Sequence, residues 1–492
     1  MASVSSEGWY HLSQNLLGTY IKNTLIVVVG VSILTTVFGV SSAWWVATTN
    51  FPFRKHLEWL LILPLAIPTF INGVTYAGLI DYTGPIRVFL RSVSWLSDFN
   101  MDIMNRGGVI AVMSFVLYPY VYLTSRAVFS LQSSSLIEAS RTLGAGHFKT
   151  FFKVVLPVAW PGIFSGLLLV IMEVLNDYGT VHYYGVPTFT TGIFKSWLSL
   201  GDLPSAVLLA IILILFVLVL LFLEERFRGK KKFESSEGKL SSRFQMVGWK
   251  KWLVFLGCAT PFVLGFVIPV AQMGFWLSLS FDRIRWGDLR HGISGTLQVA
   301  IISSILVVLI AWLFAFLQRR TELTGFWKSS TKLAILGYSM PGAVLGIGVV
   351  TLALFLNPNW LFVGTGALII GYVSRFFAVG FNPITSGYTK IPISVDESTA
   401  LLGKGTRTLL TKVHFPLLRP AVVAALIMVF IDITKELPLA LILRPFNFET
   451  IATQAFQFAT DEMVIESAAP SLIIILIAAV PVYFLHRIFK AE

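Results

Sequence analysis

Charged residues are scarce in this chain: Asp, Glu, Lys and Arg make up 13% of its 492 residues, whereas hydrophobic residues make up 55%. A soluble protein of this length needs more polar side chains to cover its surface. The apolar residues come in runs of about twenty or more, the length that crosses roughly 30 Å of hydrocarbon as a helix. The composition therefore excludes a soluble multidomain protein and predicts an all-α polytopic membrane protein.

Several chemical motifs are also absent. Cys258 is the single cysteine, so no internal disulfide can form. The stretch Gly403–Thr406 is the nearest approach to a nucleotide-binding G-x4-G-K-[ST] motif, but the upstream glycine is missing. The seven histidines show no metal-ligand spacing, and there is no nucleophile triad or H-E-x-x-H motif. We therefore expect no enzyme activity, no bound cofactor and no ATP hydrolysis by this chain, and residues 1–20 do not form a cleavable signal peptide.

Hydrophobic segments predict about 11 membrane-spanning helices, five before and six after a polar linker. The linker, 225–251, is rich in Lys, Ser, Gly and Glu and is predicted to be flexible. The predicted domains are a first repeat, 1–224, the basic linker, 225–251, and a second repeat, 252–492. The predicted spans lie near 24–47, 57–80, 107–130, 159–180, 204–224, 252–279, 293–318, 332–356, 362–385, 418–439 and 467–488.

The distribution of Lys and Arg predicts the orientation. With the linker in the cytoplasm, the inside segments hold about 24 Lys and Arg, and the outside segments hold far fewer. This predicts a cytoplasmic linker and C-terminus and an outside N-terminus, and it explains the net charge of +12 without nucleic acid.

The two halves of the chain share short sequence matches. Asn23–Leu25 matches Gly295–Leu297, and Pro68 matches Pro341. The predicted span 252–279 has no counterpart in the first half, so that helix is absent or the chain begins upstream of Met1.

Two predicted cytoplasmic loops repeat one pattern. Residues 137–161 read IEASRTLGAGHFKTFFKVVLPVAWP, and residues 396–420 read DESTALLGKGTRTLLTKVHFPLLRP. Matched residues lie 259 positions apart, as Glu138 and Glu397 do. Each loop is predicted to form a short helix, a break at glycine and a second helix that runs to a proline. The matched pairs are Glu138 and Glu397, Gly144 and Gly403, Val154 and Val413, Pro157 and Pro416, and Pro161 and Pro420.

This pattern resembles the loop E-A-A-x3-G-x9-I-x-L-P of binding-protein-dependent ABC importer permeases. The second loop departs from it with Ser398 and Thr399 at the alanine positions and Phe415 in place of leucine. The resemblance implies that each loop docks one ATPase subunit and passes on its nucleotide-driven closure. An ordinary amphipathic hairpin is the alternative for a single copy. The implied coupling residues are Glu138, Ala139, Ser140, Gly144, Val154, Leu156 and Pro157 in the first loop, and Glu397, Ser398, Gly403, Val413, Phe415 and Pro416 in the second.

Two further segments, 176–202 and 435–462, resemble ferric-iron ABC importer permeases, which are often fused two-half proteins. The resemblance covers nearly the whole chain and implies a type I importer fold in a bacterial inner membrane. It also implies two ABC ATPase subunits, which use ATP, and a periplasmic or extracellular substrate-binding protein. Thiamine, polyamine and phosphonate importers are the alternatives for cargo. An ion-coupled secondary transporter is the rival mechanism, since such proteins also use repeats and intramembrane carboxylates.

Four carboxylates lie within or beside the predicted spans. Glu173 and Asp177 are one helical turn apart, and Asp432 and Glu436 repeat this spacing. Each pair is predicted to share one face near the outer end of its helix. Ionisable groups in a membrane usually face a cavity or a partner. The set predicts an oxygen-rich pathway for Fe³⁺, and the alternatives are helix-to-helix pairs or a position at the water interface.

Other polar residues near the spans have simpler interpretations. Lys435 is predicted to neutralise one carboxylate, and Arg375 to pair with another. The tyrosines at the predicted span ends are interpreted as interfacial anchors rather than ligands. They are Tyr118, Tyr120, Tyr183 and Tyr184.

Overall fold

The computed structural model describes residues 6–93, 102–131, 140, 142, 144, 146–228, 244–246, 248–320, 337–356 and 365–491. Within this part of the chain, eight helices are long and apolar enough to cross a membrane. The pair Arg54–Ala66 and Thr69–Ser92, bent by 92°, makes a ninth candidate span. The eight helices are Leu17–Thr48, Arg106–Ser130, Phe151–Asn176, Leu203–Phe222, Lys250–Arg283, Trp286–Arg319, Gly366–Thr389 and Thr406–Thr434.

The helices of the N-terminal part are numbered in chain order. They are α1 (Ser6–Asn15), α2 (Leu17–Thr48), α3 (Arg54–Leu60), α4 (Thr69–Ile80), α5 (Pro85–Ser92), α6 (Arg106–Leu131), α7 (His147–Thr150), α8 (Leu156–Asn176), α9 (Gly179–Tyr183), α10 (Phe189–Phe194) and α11 (Leu203–Arg228). A parallel pair of two-residue strands joins β1 (Thr49–Asn50) to β2 (Phe244–Gln245).

The remaining helices follow the second strand. They are α12 (Lys250–Phe262), α13 (Ile268–Ser280), α14 (Trp286–Arg320), α15 (Gly342–Leu356), α16 (Gly366–Thr389), α17 (Ser394–Leu401), α18 (Thr406–Thr408), α19 (Phe415–Thr434), α20 (Pro438–Leu443), α21 (Ile451–Thr460) and α22 (Ala468–Ala491).

The prediction of an all-α membrane protein is confirmed. Every predicted span overlaps a described helix, but the spans near 332–356 and 467–488 correspond to shorter apolar helices, Gly342–Leu356 and Ala468–Val480. The total of 11 spans therefore stays a prediction. The span predicted near 57–80 is not one straight helix, because Pro64 and Pro68 interrupt it between α3 and α4.

Prolines also explain three of the π-helical turns in the described part of the chain. The turns Phe151–Val155, Val263–Val267 and Leu409–His414 each run directly into a helix whose second residue is proline: Pro157, Pro269 and Pro416. Proline has no backbone N–H, and its ring crowds the carbonyl four residues earlier. A wider π turn relieves this conflict without breaking the helix.

The chain divides into two compact units. The first contains Met1–Arg283 and Phe456–Ile475, and the second contains Ile284–Ala455 and Leu476–Glu492. The division differs from the predicted repeats, because α12 and α13 pack within the first unit although they follow the linker. The predicted domains 1–224, 225–251 and 252–492 therefore remain a prediction about sequence repeats.

Each unit contains a similar bundle of three long helices. In the first unit α2, α6 and α8 pack against one another, and in the second α14, α16 and α19 do so. The same backbone contact recurs in both. The Thr24 hydroxyl accepts a hydrogen bond from the N–H of Phe189 at 3.3 Å, and the Thr296 hydroxyl accepts one from Ile451 at 2.7 Å. The matched threonines thus hold the first residue of α10 and of α21, respectively.

Candidate functional site

The second predicted coupling loop has the expected helix–glycine–helix form. Helix α17 carries Asp396 and Glu397 in its first turn, where carboxylates complement the positive end of the helix dipole. Gly403 follows with a φ of 67°, the left-handed region that glycine enters without a Cβ clash. The chain then re-forms a helix that leads to Pro416.

The first loop shows the same break within its described residues. Gly144 has a φ of 80°, and the helix that follows it leads through a π turn to Pro157. The hydroxyls of Ser140 and Thr150, both buried, lie 2.8 Å apart and join the two sides of the loop. Glu138 and Ala139 lie outside the described residues, so their predicted positions stay predictions.

The tip of the second loop exposes large apolar side chains. Leu401 is 89% exposed and Leu402 is 75% exposed, and Ile393 and Phe415 are also exposed. Val413 is partly buried against the core of the second unit. Exposed leucines beside a helix break are typical of a surface that packs against another protein.

A charged network that the sequence reasoning missed holds the second loop. Arg319, near the end of α14, donates to both carboxylate oxygens of Asp396, at 2.8 and 3.0 Å. The same guanidinium donates to the backbone carbonyls of Tyr388, Ile391 and Pro392, at 2.9 to 3.0 Å. These carbonyls lie at and just after the C-terminal end of α16, where helix carbonyls lack partners within the helix.

Asp396 has a second partner on the other side of the loop. The Nε2 of His414 lies 3.0 Å from Asp396 Oδ1, and the His414 side chain is completely buried. Burial raises the pKa of the Asp396 carboxyl, but hydrogen bonds from Arg319 and His414 outweigh it and lower that pKa below its ordinary value. The ion pair is therefore formed at neutral pH and is lost only as the pH falls through the lowered pKa.

The second carboxylate of each predicted pair lies at or just beyond the end of its helix. Helix α8 ends at Asn176 and α19 ends at Thr434, so Asp177 and Glu436 lie beyond their helices. Asp177 caps the C-terminal end of α8, and its N–H still donates to the carbonyl of Glu173 at 3.0 Å. The shared face of each pair therefore stays a prediction. The structure places Asp177 and Glu436 just before the short helices α9 and α20.

Asp177 stabilises the start of α9. Its carboxylate accepts hydrogen bonds from the backbone N–H of Thr180 at 2.9 Å and of Val181 at 3.3 Å. It also accepts from the hydroxyls of Thr69 and Thr180. Asp177 is buried, so each bond replaces one that water would otherwise provide. The carboxylate thereby fixes α4 to α9.

Glu436 makes the corresponding contact in the second unit. Its Oε1 accepts from the N–H of Leu439 at 3.2 Å, and its Oε2 lies 3.4 Å from the Nε of Arg375. Both side chains are nearly inaccessible, at 6% and 4% exposure. The prediction that Arg375 pairs with one of these carboxylates is confirmed, and Arg375 also donates to the carbonyl of Met340 at 2.8 Å.

The other two carboxylates are partly exposed. Asp432 pairs with Lys435 at 2.9 Å, which confirms the predicted neutralisation. Glu173 lies 3.4 Å from the hydroxyl of Tyr120. Within the described ranges, no group of three or more His, Cys, Asp or Glu side chains is arranged to hold a metal ion.

The interfacial interpretation of the tyrosines is wrong for two of them. Tyr118 and Tyr184 are buried inside the first unit, and their hydroxyls donate to the carbonyls of Leu61 at 3.0 Å and Gly73 at 2.9 Å. Each phenol thus donates to a carbonyl of another segment, which satisfies its hydroxyl inside the protein.

The first unit contains an open cavity of about 1160 Å³ on its predicted outer side. Asp81, Asp102 and Glu462 contribute carboxylates to its wall, and Arg87 contributes one cation. Burial raises the pKa of the Tyr183 phenol, another wall residue, and the nearby charges of Asp81 and Glu462 raise it further. The sequence reasoning did not find this cavity, because its acidic residues come from three distant segments.

The chain is similar to known transport proteins in both of its halves. A family described as "Binding-protein-dependent transport system inner membrane component" matches residues 35–231. The Fe(3+)-transport system permease protein FbpB 2 of Haemophilus influenzae is 26% identical over 476 residues, which cover 95% of this chain and 89% of that protein. The ferric transport system permease protein FbpB of Actinobacillus pleuropneumoniae is 25% identical, over 85% of this chain and 64% of that protein.

A shorter relative matches part of the chain more closely. The sulfate transport system permease protein CysT of Escherichia coli K12 is 31% identical over 207 residues, which cover 41% of this chain and 73% of CysT. The ferric relatives extend across both repeats, and the helices and loops described above recur in both units. The chain therefore belongs to the binding-protein-dependent transport system inner membrane components, as an ABC importer permease with its two halves fused.

Proposed function

We propose that this permease imports ferric iron and is driven by two separate ATPase subunits, one on each cytoplasmic loop. The observation that carries the proposal is the duplicated loop, in which Gly144 and Gly403 both break a helix with positive φ. The exposed Leu401 and Leu402 supply an apolar contact surface at the second break. An ion-coupled secondary transporter has no need for two such loops.

Iron as the cargo is supported by the relatives and by the acidic cavity. The relatives that match 95% and 85% of this chain are named as ferric transport permeases. The carboxylates of Asp81, Asp102 and Glu462 give the cavity oxygen ligands, which hard cations prefer. We propose this cavity as the entry from a substrate-binding protein, with the linker and the C-terminus on the cytoplasmic side. Thiamine, a polyamine or a phosphonate is the alternative cargo.

The four predicted pathway carboxylates divide into two groups in this proposal. Asp177 and Glu436 are engaged in stabilising α9 and α20, as their buried hydrogen bonds indicate. Glu173 and Asp432 are partly exposed, so these two remain our candidates for contact with the moving cation.

Variants of the first loop test the coupling mechanism. Gly144→Pro cannot adopt a φ near 80°, and Glu138→Lys reverses the charge in the predicted first turn. We expect both variants to reach the membrane but to lose ATP-dependent uptake. Gly144→Asn is the matched control, because asparagine tolerates the left-handed region and should keep most uptake. Normal uptake in Gly144→Pro and Glu138→Lys would exclude docking of this loop as the coupling step.

A transport assay tests the cargo. Membrane vesicles that contain the permease, its ATPase subunits and the binding protein should accumulate labelled Fe³⁺ when ATP is supplied. Excess thiamine, phosphonate or sulfate should not compete. Competition by one of these would reassign the cargo but keep the mechanism. Uptake by the lone chain under a proton gradient would favour a secondary transporter instead.

A further inference from the structure

The position of Arg319 gives the charged network an architectural role. Its guanidinium lies between the C-terminal end of α16 and the first turn of α17, and it bonds to both. A cation complements the negative end of one helix dipole, while Asp396 complements the positive end of the next. Arg319 belongs to α14, so one side chain connects three helices across the elbow 390–393 that enters the second loop.

The side chains of this network are largely buried, so water cannot easily replace their mutual contacts. The Arg319 side chain is 11% exposed, Asp396 is 21% exposed and His414 is fully buried. The guanidinium is planar and directs its donors in fixed directions, so two carboxylate oxygens and three carbonyls define its place. His414 extends the network to the π turn that leads into α19.

The first repeat replaces this network with apolar residues. The spacing that relates Ile137 to Asp396 also relates Val155 to His414, and both Val155 and His414 are fully buried. The spacing that relates Thr24 to Thr296 pairs Ala47 with Arg319. Aromatic contacts hold the corresponding region of the first unit: the Trp44 ring lies 5.4 Å from Phe129 and 5.1 Å from Phe151.

The first unit does have an ion-pair network, but it serves a different junction. Glu58 of α3 pairs with Arg126 of α6 and with Arg54 of its own helix. Arg54 also donates to the carbonyl of Val46 at 3.0 Å. These contacts connect α2, α3 and α6. At the matched sequence positions, the charged residues that connect a long helix to a coupling loop occur in the second repeat, and Ala47, Ile137 and Val155 stand in the first.

We propose that Arg319 is a positioning residue that makes the second coupling loop move as one body with α14, α16 and α19. The inference rests on the proposed docking of an ATPase subunit at this loop. When the ATPase closes, a loop fixed by Arg319 transmits the displacement to the long helices. Without Arg319, the elbow 390–393 bends and absorbs the displacement. ATP is then hydrolysed without a matching transport step. Coupling requires that the long helices move when the loop changes between its positions in the open and closed ATPase.

The test measures uptake per ATP hydrolysed in the reconstituted complex of permease, ATPase and binding protein. Arg319→Lys keeps one charge contact with Asp396 but cannot span the carboxylate and the three carbonyls. We expect ATPase co-purification and the rate of hydrolysis to stay near those of the unaltered complex, while uptake per ATP falls about tenfold. Arg285→Lys is the matched control: Arg285 precedes the other end of α14, is exposed and should leave the ratio unchanged.

A triple variant tests whether the apolar residues of the first repeat can replace the charged network of the second. Arg319→Ala alone leaves Asp396 without its main partner, whereas Arg319→Ala with Asp396→Ile and His414→Val carries the residues of the first repeat. We expect the triple variant to recover part of the uptake per ATP that Arg319→Ala loses. Where Arg319→Ala fails to accumulate in the membrane, Arg319→Lys still supplies the comparison.

Three outcomes distinguish a failure of this inference from a failure of the proposed function. Unchanged uptake per ATP in Arg319→Lys and Arg319→Ala, with the ATPase still bound, would overturn the positioning role and leave the docking intact. Absence of any ATPase from the purified unaltered permease would overturn the docking itself. A loss of ATPase binding confined to the Arg319 variants would also overturn the inference, since Arg319 would then control attachment instead of transmission.

Discussion

Two buried carboxylates in this permease stabilise the ends of helices, a role that the sequence alone does not indicate. Asp177 and Glu436 occupy matched positions and both accept a hydrogen bond from a backbone N–H three residues later. Each carboxylate therefore stabilises the start of a short helix beside the end of a long one. The spacing of these residues was predictable, but their role was not, because it depends on where α8 and α19 end.

Asp177 should tolerate loss of its charge better than loss of its acceptor atoms. Asp177→Asn keeps an oxygen for the N–H groups of Thr180 and Val181, so we expect nearly unchanged uptake and thermal stability. Asp177→Ala strands these buried donors and should destabilise the protein by about 1–3 kcal/mol. Thermal unfolding in detergent, compared with Fe³⁺ uptake, measures both effects. A complete loss of uptake in a fully folded Asp177→Asn would indicate a direct role in the pathway.

The pair of Arg375 and Glu436 should behave differently, because both members are charged and buried. Glu436→Gln leaves the Arg375 guanidinium without its counter-charge, which costs about 3–5 kcal/mol. Replacing both residues by methionine removes the isolated charge and should recover part of this loss, because the buried N–H of Leu439 then lacks its acceptor. The melting temperatures of the single and double variants, compared with that of the unaltered protein, measure the loss of stability and its recovery. Equal melting temperatures for Glu436→Gln and the unaltered protein would show that the pair contributes little.

The long helices of the first unit pack closely through small residues, as membrane helices commonly do. A Cβ on Gly39 of α2 would lie 2.7 Å from the Cβ of Val121 and 2.9 Å from the backbone nitrogen of Tyr122, both in α6. A Cβ on Gly166 of α8 would lie 2.8 Å from the carbonyl of Tyr120. The three-helix bundle of the first unit thus depends on close backbone approach.

Gly39→Val should separate α2 from α6. The new side chain has no space, and overpacking of this kind costs about 1–3 kcal/mol or more. Gly274→Val in α13 is the matched control, since nothing lies within 4 Å of a Cβ there and the intrinsic helix cost is the same. The melting temperatures of the two variants in detergent give the comparison. A drop of equal size in both would attribute the effect to helix propensity alone.

Most elements could be predicted from hydrophobic length and proline position, whereas contacts between distant segments could not. The glycine breaks at Gly144 and Gly403 follow from local backbone preference, and the structure confirms them. The Arg319 network joins residues that are far apart in sequence, and its members have apolar counterparts in the first repeat. The acidic cavity has the same character, because Asp81, Asp102 and Glu462 belong to separate segments.

The molecule as a whole is not divided where the linker divides the chain. Helices α12 and α13 follow the linker but pack in the first unit, where the Tyr76 hydroxyl donates to the carbonyl of Leu264 at 2.8 Å. A Cβ on Gly265 would lie 2.0 Å from the carbonyl oxygen of Phe115, so the two backbones are in direct contact. The second repeat therefore supplies structural parts of the first unit.

Cutting the chain within the linker tests this arrangement. We expect fragments 1–240 and 241–492, expressed together, to associate in the membrane and to support uptake comparable to that of the intact chain. Fragment 1–240 alone lacks α12 and α13. We therefore expect it to unfold at a lower temperature than fragment 1–283 and to be cleaved faster by protease. A chain cut between residues 283 and 284 is the control, because its first fragment keeps both helices. If fragment 1–240 alone were as stable as fragment 1–283, the packing of α12 and α13 would contribute little to the first unit.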